Sequence, residues 1–142
     1  IQLDKINIRI LEALNHNARI TTVEIGKRVG LSAPAVAERI RKMETEGIIS
    51  GYKTIINYDK LGMSVPVFVH FKAKSVSHAA MLRVFATMPQ IKEWYAITGD
   101  NCAMLKIVVD KTNALEKILE RLGEFGETST SIILSEGRSR EL

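Results

Sequence analysis

The chain is poor in several things that would each have settled a class. It has a single cysteine, Cys102, in 142 residues, so no intramolecular disulfide framework is available and the composition fits a reducing compartment. No run of about 18 consecutive apolar residues occurs, and no charged-then-apolar leader opens the chain, so neither a membrane span nor export is expected. P-loop, GxGxxG, GxSxG and HExxH patterns are all missing, which leaves no motif for an enzyme. The three histidines, His16, His70 and His78, show no ligand spacing with one another or with Cys102. Packing or capping roles are therefore expected for them, and neither a metal site nor a cofactor is expected. Cys102 reads as a small apolar group at a strand start, not as a nucleophile.

What remains is an ordinary folded composition: 46% hydrophobic, 25% charged and 6% aromatic residues, enough apolar content to bury cores in one domain or two small ones. The formal net charge is +4. Through Lys60 there are 10 Lys+Arg against 7 Asp+Glu, and from Leu61 onward 10 against 9. The excess leans toward the N-terminal part, which is compatible with a nucleic-acid partner there.

That N-terminal part carries three helix signals. Asp4 is placed to cap a helix running to about His16, with Leu3 and Ile8 as a staple and Ile6, Ile10, Leu11 and Leu14 as its apolar stripe. Thr21 and Glu24 form a capping box for a second helix over about 22–29, stapled by Ile20 and Ile25. Ser32 caps a third over about 33–46, stapled by Leu31 and Val36, with Pro34 in the first turn, where its missing N–H costs nothing. Val29-Gly30-Leu31 supplies the short turn between them, and Gly47 the end of the third. Helix, short turn, helix is the arrangement that presents a recognition helix to the DNA major groove.

At about 100° per residue, Pro34, Glu38, Arg41, Lys42 and Thr45 point away from the inward stripe of Val36, Ile40 and Met43, and Arg39 lies at the flank. On this reading Ser32, Pro34, Ala35 and Glu38 approach base edges, while Arg39, Arg41 and Lys42 meet bases or phosphates. The alternative is a solvated helix face with Glu38–Lys42 as an i,i+4 ion pair. The preceding helix and the length of the turn favour double-stranded DNA.

Residues 48–59 are β-branched and aromatic and read as an extended segment, which Leu61-Gly62-Met63 breaks. From Ser64 the rhythm changes. VPVFVHFKA is a strand whose near-continuous apolar character predicts burial on both faces. A helix over 78–88 follows, then strands 91–98 and 102–110 joined by the hairpin signal Gly99-Asp100-Asn101. A helix over 112–123 and a strand over 128–135 complete the order βαββαβ, the ferredoxin-like pattern. Both helices should cover one face of the sheet. The other face still carries apolar side chains and needs a cover, which implies a subunit interface. The fold class is thus α+β, with a three-helix helix-turn-helix domain at 1–50, an extended linker strand at 51–62 and a ferredoxin-like α/β sandwich at 63–142.

Two polar stretches interrupt this apolar second half, Thr98-Gly99-Asp100-Asn101 at the hairpin and Thr128-Ser129-Thr130-Ser131 at the last strand. Hydroxyls, turn N–H groups and one carboxylate suit a small zwitterion such as an amino acid. On the residues alone, a plain hairpin turn and a threonine-rich edge strand are the favoured account.

LDKINIRILEALNHNARIT, then EIGKRVGLSAPAVAERIRKMETEGIISGY, then a βαββαβ half, resembles the Lrp/AsnC (feast/famine) transcription regulators over nearly the whole chain. GLSAPAVAERIRKMETEGII is its most specific piece. The resemblance implies a DNA-binding domain and a regulation-of-amino-acid-metabolism domain, assembled as homodimers that commonly associate into octamers, in the cytoplasm on the nucleoid. It places Ser32, Pro34, Glu38, Arg39, Arg41 and Lys42 on the recognition helix. It implies an amino-acid effector pocket between dimers, with the family's glycine-aspartate turn at Gly99 and Asp100 and its threonine-x-threonine at Thr128 and Thr130. Many members follow that turn with an acidic-aromatic pair, where this chain has Asn101-Cys102-Ala103. The effector's identity is therefore open, and a member that compacts or wraps DNA with little effector response is an alternative. So is a small-molecule sensor without DNA binding. An RNA-binding reading is weakest, because the RRM motif and its paired stacking aromatics are missing.

Overall fold

The computed structural model describes residues 3–100 and 102–142; Asn101, expected in the hairpin turn, lies outside them. The chain divides into two compact units, Ile1–Ile55 with Gly137–Leu142, and Ile56–Glu136.

The first unit is built from the three helices the caps announce. In α1 (Lys5–His16) the Asp4 carboxylate accepts from the Asn7 N–H at 2.7 Å. In α2 (Thr22–Val29) the Thr21 hydroxyl accepts from the Glu24 N–H at 3.1 Å. In α3 (Ala33–Thr45) the Ser32 hydroxyl accepts from the Ala35 N–H at 3.3 Å. Each cap satisfies an N–H that would otherwise face water without a helical partner, and is worth about 1 kcal/mol. The capping box at Thr21 is built from this side only, because Glu24 turns to Arg28, 3.8 Å away. Ile10, Ala13, Ile25, Val36 and Met43 form the buried core, and Leu3, Ile6, Leu11, Leu14, Ile20, Leu31 and Ile40 pack against it. All four expected stripe residues of α1 are in that set. Ile48 and Ile49 also fold back onto it. Residues 137–142 return to this unit, where the Asn15 side-chain amide donates to the Arg140 carbonyl at 3.0 Å.

The second unit begins with a 3-10 turn, Tyr58–Leu61, so the extended backbone read as far as Asp59 ends at Asn57. Among the described residues, 50–57 belong to no strand. Then come β1 (Val65–Ala73), α4 (His78–Ala86), β2 (Ile91–Ile97), β3 (Cys102–Val109), α5 (Thr112–Gly123) and β4 (Gly126–Ile132). The sheet order is β2-β3-β1-β4, antiparallel throughout. This is the ferredoxin-like split βαβ. Val67, Val69, Phe71, Ala103, Leu105 and Ile107 of the central strands meet Met81, Phe85, Leu115, Ile118 and Leu122 of the helices in one buried cluster. Phe71 and Phe85 meet edge to face, with centroids 5.5 Å apart, a geometry that aromatic quadrupoles favour.

The expectation that β1 is buried on both faces does not hold in the single chain. Its burial alternates: Val67, Val69 and Phe71 point to the helices, and Phe68, His70 and Lys72 point outward and are exposed. The reason is that α4 and α5 both lie on one side of the sheet. The register puts Tyr95, Met104, His70 and Ser129 in one outward row and Ile97, Cys102, Lys72 and Glu127 in the next. Lys106, also outward, pairs with Glu136 at 2.9 Å.

β4 begins two residues before the expected Thr128 and ends at Ile132 instead of Ser135. Its start is set by close approach. A Cβ on Gly126 would sit 2.2 Å from the Lys72 carbonyl oxygen and 2.9 Å from the Phe71 ring. Gly126→Ala must therefore push β4 off β1, and a destabilisation of about 1–3 kcal/mol is expected. Urea unfolding of the intact chain, followed by circular dichroism, measures it.

Candidate nucleic-acid interface and ligand-binding region

α3 is held firmly from behind. Val36 and Met43 are buried, at 0% and 1% exposure, so the opposite face of the helix is fixed in direction. The turn leading into it is tight: the Gly30 and Leu31 N–H groups both donate to the Gly26 carbonyl, at 2.8 and 3.0 Å. A Cβ on Gly26 would stand 2.4 Å from the Leu31 carbonyl oxygen. Only a glycine at this position of α2 lets the turn close and set the angle of α3.

The exposed residues of α3 and its cap are Ser32, Pro34, Ala37, Glu38, Arg41, Lys42, Glu44 and Thr45. Five of these are the residues that the 100° rule directs outward. Ala37 and Glu44 are not in that set, although they stand four residues before and three after Arg41 on the same stripe. Ala35 is half-buried, and its N–H is taken up by the Ser32 cap. Glu38 does not pair with Lys42. Its two carboxylate oxygens accept from Arg41 instead, Nε at 3.0 Å and Nη2 at 2.5 Å. The pair is mutual: Arg41 holds the Glu38 carboxyl below the usual carboxylate range, and Glu38 holds the Arg41 guanidinium above its own ordinary value.

Arg39 is occupied differently. Its Nη1 donates to the Asp4 carboxylate at 2.7 Å and to the Asn7 side-chain oxygen at 3.1 Å. It thus ties the start of α1 to the middle of α3 and faces the first helix, not the open surface. Asn7, whose part in this tie no motif signals, was not picked out from the sequence. On α2, Lys27 and Arg28 are exposed in the last turn, and Arg9 donates to the Arg28 carbonyl.

In the second unit, Thr98, Gly99 and Asp100 lie in the β2–β3 connection. The Cys102 thiol, half-buried, donates to the Asp100 carbonyl at 3.6 Å. Thr128 and Thr130 pair with Phe71 and Val69, so they share the helix-covered face at the outer strand β4. One strand, β1, lies between the β2–β3 hairpin and β4. At about 4.8 Å per strand, β3 and β4 are about 10 Å apart. Within one chain the two polar groups share an end of the sheet, with β1 between them. His70 is exposed on the outward face and His78 opens α4 behind its Ser77 cap. Among the described residues no three His, Cys, Asp or Glu side chains gather to hold a metal ion, and no helix is long and apolar enough to cross a membrane.

A helix-turn-helix with an exposed polar second helix, followed by a separate ferredoxin-like unit, is the architecture of a DNA-binding regulator with a second, non-DNA domain. The AsnC-type helix-turn-helix domain matches residues 3–44, and the Lrp/AsnC ligand binding domain matches residues 66–141. The chain is 39% identical over 134 residues to the uncharacterized HTH-type transcriptional regulator YezC of Bacillus subtilis, covering 94% of each. Among solved structures, B. subtilis LrpC superposes with a TM-score of 0.90 at 32% identity, over 98% of this chain and 99% of that one. A transcriptional regulator from Neisseria meningitidis, solved with L-Met, gives 0.86 at 25% identity, over 97% and 94%. The chain belongs to the Lrp/AsnC family, and it is a DNA-binding transcriptional regulator.

The Asp4–Arg39 tie has a pH signature. Arg39 above all, with the Asn7 N–H, holds the Asp4 carboxyl below its ordinary value. A lowered folded-state value means that the stabilisation is present above the ordinary carboxylate range and is lost as pH falls through the lowered value. Asp4→Asn keeps a capping side chain and removes the charge. The melting temperature of the wild type should exceed that of Asp4→Asn at neutral pH, and the gap should close as pH falls below the ordinary carboxylate range.

Proposed function

We propose that the chain acts as a homodimer, assembling further into larger oligomers, whose paired α3 helices address DNA half-sites about 34 Å apart or multiples of that. On this reading α3 contacts the operator through Ser32, Pro34, Ala35, Glu38, Arg41 and Lys42, with Arg39 anchoring the helix. The supporting observation is the fixed outward face of α3 over a fully buried back. The domain division follows the motifs: DNA binding in residues 1–50, a linker at 51–62, and effector binding with oligomerisation in 63–142. Dimerisation is assigned to the outward sheet face, where Phe68, Tyr95 and Ile97 are 39%, 54% and 36% exposed. In water such a face costs free energy that a second copy would remove.

The ligand of the second domain is an amino acid, held by Thr98, Gly99, Asp100, Asn101, Thr128 and Thr130. What supports this reading is that the hairpin and the start of β4 lie at the same end of the sheet, on either side of β1, and groups from a neighbouring copy complete the pocket. The L-Met complex of the Neisseria relative supports the ligand class. The protein performs no catalysis and works where the DNA is, in the cytoplasm on the nucleoid.

Thermal-shift measurements with each of the twenty amino acids test it. A ligand at 100 times its Kd should stabilise the protein by about 2.7 kcal/mol, and Asp100→Ala should abolish the shift while leaving DNA binding in place. If no amino acid moves the melting temperature, the effector site at Asp100 and Thr130 is refuted, and a DNA-architectural role takes its place.

A further inference from the structure

The Glu38–Arg41 fork assigns different jobs to the two cations of α3. A guanidinium carries five N–H donors in one plane. Glu38 takes the Nε edge, binding Nε at 3.0 Å and Nη2 at 2.5 Å. The tip edge remains, with one N–H on each terminal nitrogen lying parallel. That is the donor pair that fits the O6 and N7 acceptors of guanine in the major groove.

Charge decides between base and phosphate. Arg41 with its carboxylate sums to zero, and a neutralised pair gains little from the phosphate backbone, whose attraction is governed by net positive charge. Orientation is what the fork supplies: a long side chain is set before DNA arrives, so less rotamer freedom is lost on binding. Stability is not its purpose, because both side chains are more than 60% exposed and exposed pairs contribute little. Lys42, exposed on the same face, stands outside the fork and keeps its charge for the backbone.

We infer that Arg41 reads a guanine through its tip edge, that Glu38 is the positioning residue that aims it, and that Lys42 is the phosphate anchor. This rests on the assignment of α3 as the recognition helix and gives that helix a base.

Selection of binding sites from a random duplex pool by the full-length protein provides the test, followed by titrations at several salt concentrations. The wild type should enrich a half-site with a defined guanine. Arg41→Ala should lose discrimination at that position by about tenfold to a hundredfold, and the double variant Glu38→Ala/Arg41→Ala, which leaves no unpaired charge, should lose it too with the wild-type salt slope. Lys42→Ala should retain the same bases and lower the slope by about 1. Glu38→Ala should relax the guanine preference and raise the slope, because it frees a cation; a merely structural role for Glu38 would not raise it. Replacing the selected guanine by 7-deazaguanine should weaken the wild type and leave Arg41→Ala unaffected. The inference is overturned if Arg41→Ala enriches the same bases as the wild type, or if 7-deazaguanine changes nothing. Failure of the wild type to enrich any sequence refutes the assignment of α3 itself, a separate result from a misassigned arginine.

Discussion

Both crossovers of the βαββαβ unit fall on the same side of the sheet, and much about this protein depends on that constraint. β1 connects through α4 to β2, skipping the position of β3, and β3 connects through α5 to β4, skipping β1. Connections of this kind have one preferred hand, so both helices pack on one face. The single cluster joining Met81, Phe85, Leu115, Ile118 and Leu122 to the central strands is the direct consequence. Its complement is an outward face of Phe68, Tyr95, Ile97 and Met104 that the chain cannot cover by itself. The same strand order places β1 between the β2–β3 hairpin and β4.

The helical unit follows another rule, in which the residues that hold α3 are kept apart from those it displays. Val36 and Met43 fix its back, Gly26 permits the tight turn before it, and Arg39 reaches across to Asp4 and Asn7. A flank arginine that looks available for DNA in a helical projection is engaged in holding the fold. Arg41, two residues on, lies on the far side and finds only Glu38. A shift of about 200° around the helix separates a structural role from an exposed one.

The helices, their caps and their apolar stripes were legible because those signals are local. Asp4, Thr21 and Ser32 cap through bonds to N–H groups three residues away, and the stripe of Ile10 and Leu14 repeats with the helical period. Strand ends were less legible. β4 starts at Gly126 because of a carbonyl on β1 more than fifty residues earlier, a distance in sequence that no local pattern spans. The both-face burial expected of β1 failed for a related reason: a run of apolar residues does not show whether one layer of helices or two will cover it. In α3 the outward face was legible from periodicity, and the ion pairing was not, because Glu38 has cations at both i+3 and i+4 and only the folded side chains choose between them.

The sequence by itself determined the element types, the helix-turn-helix with its polar outer stripe, and the βαββαβ order that marks the family. These depend on capping chemistry and on periods of 3.6 and 2, which are properties of neighbouring residues. Tertiary structure alone decided that Arg39 serves the fold, that Arg41 pairs with Glu38, and that one sheet face lies open. Each of those facts depends on which distant segments approach one another, and such approaches are settled by packing.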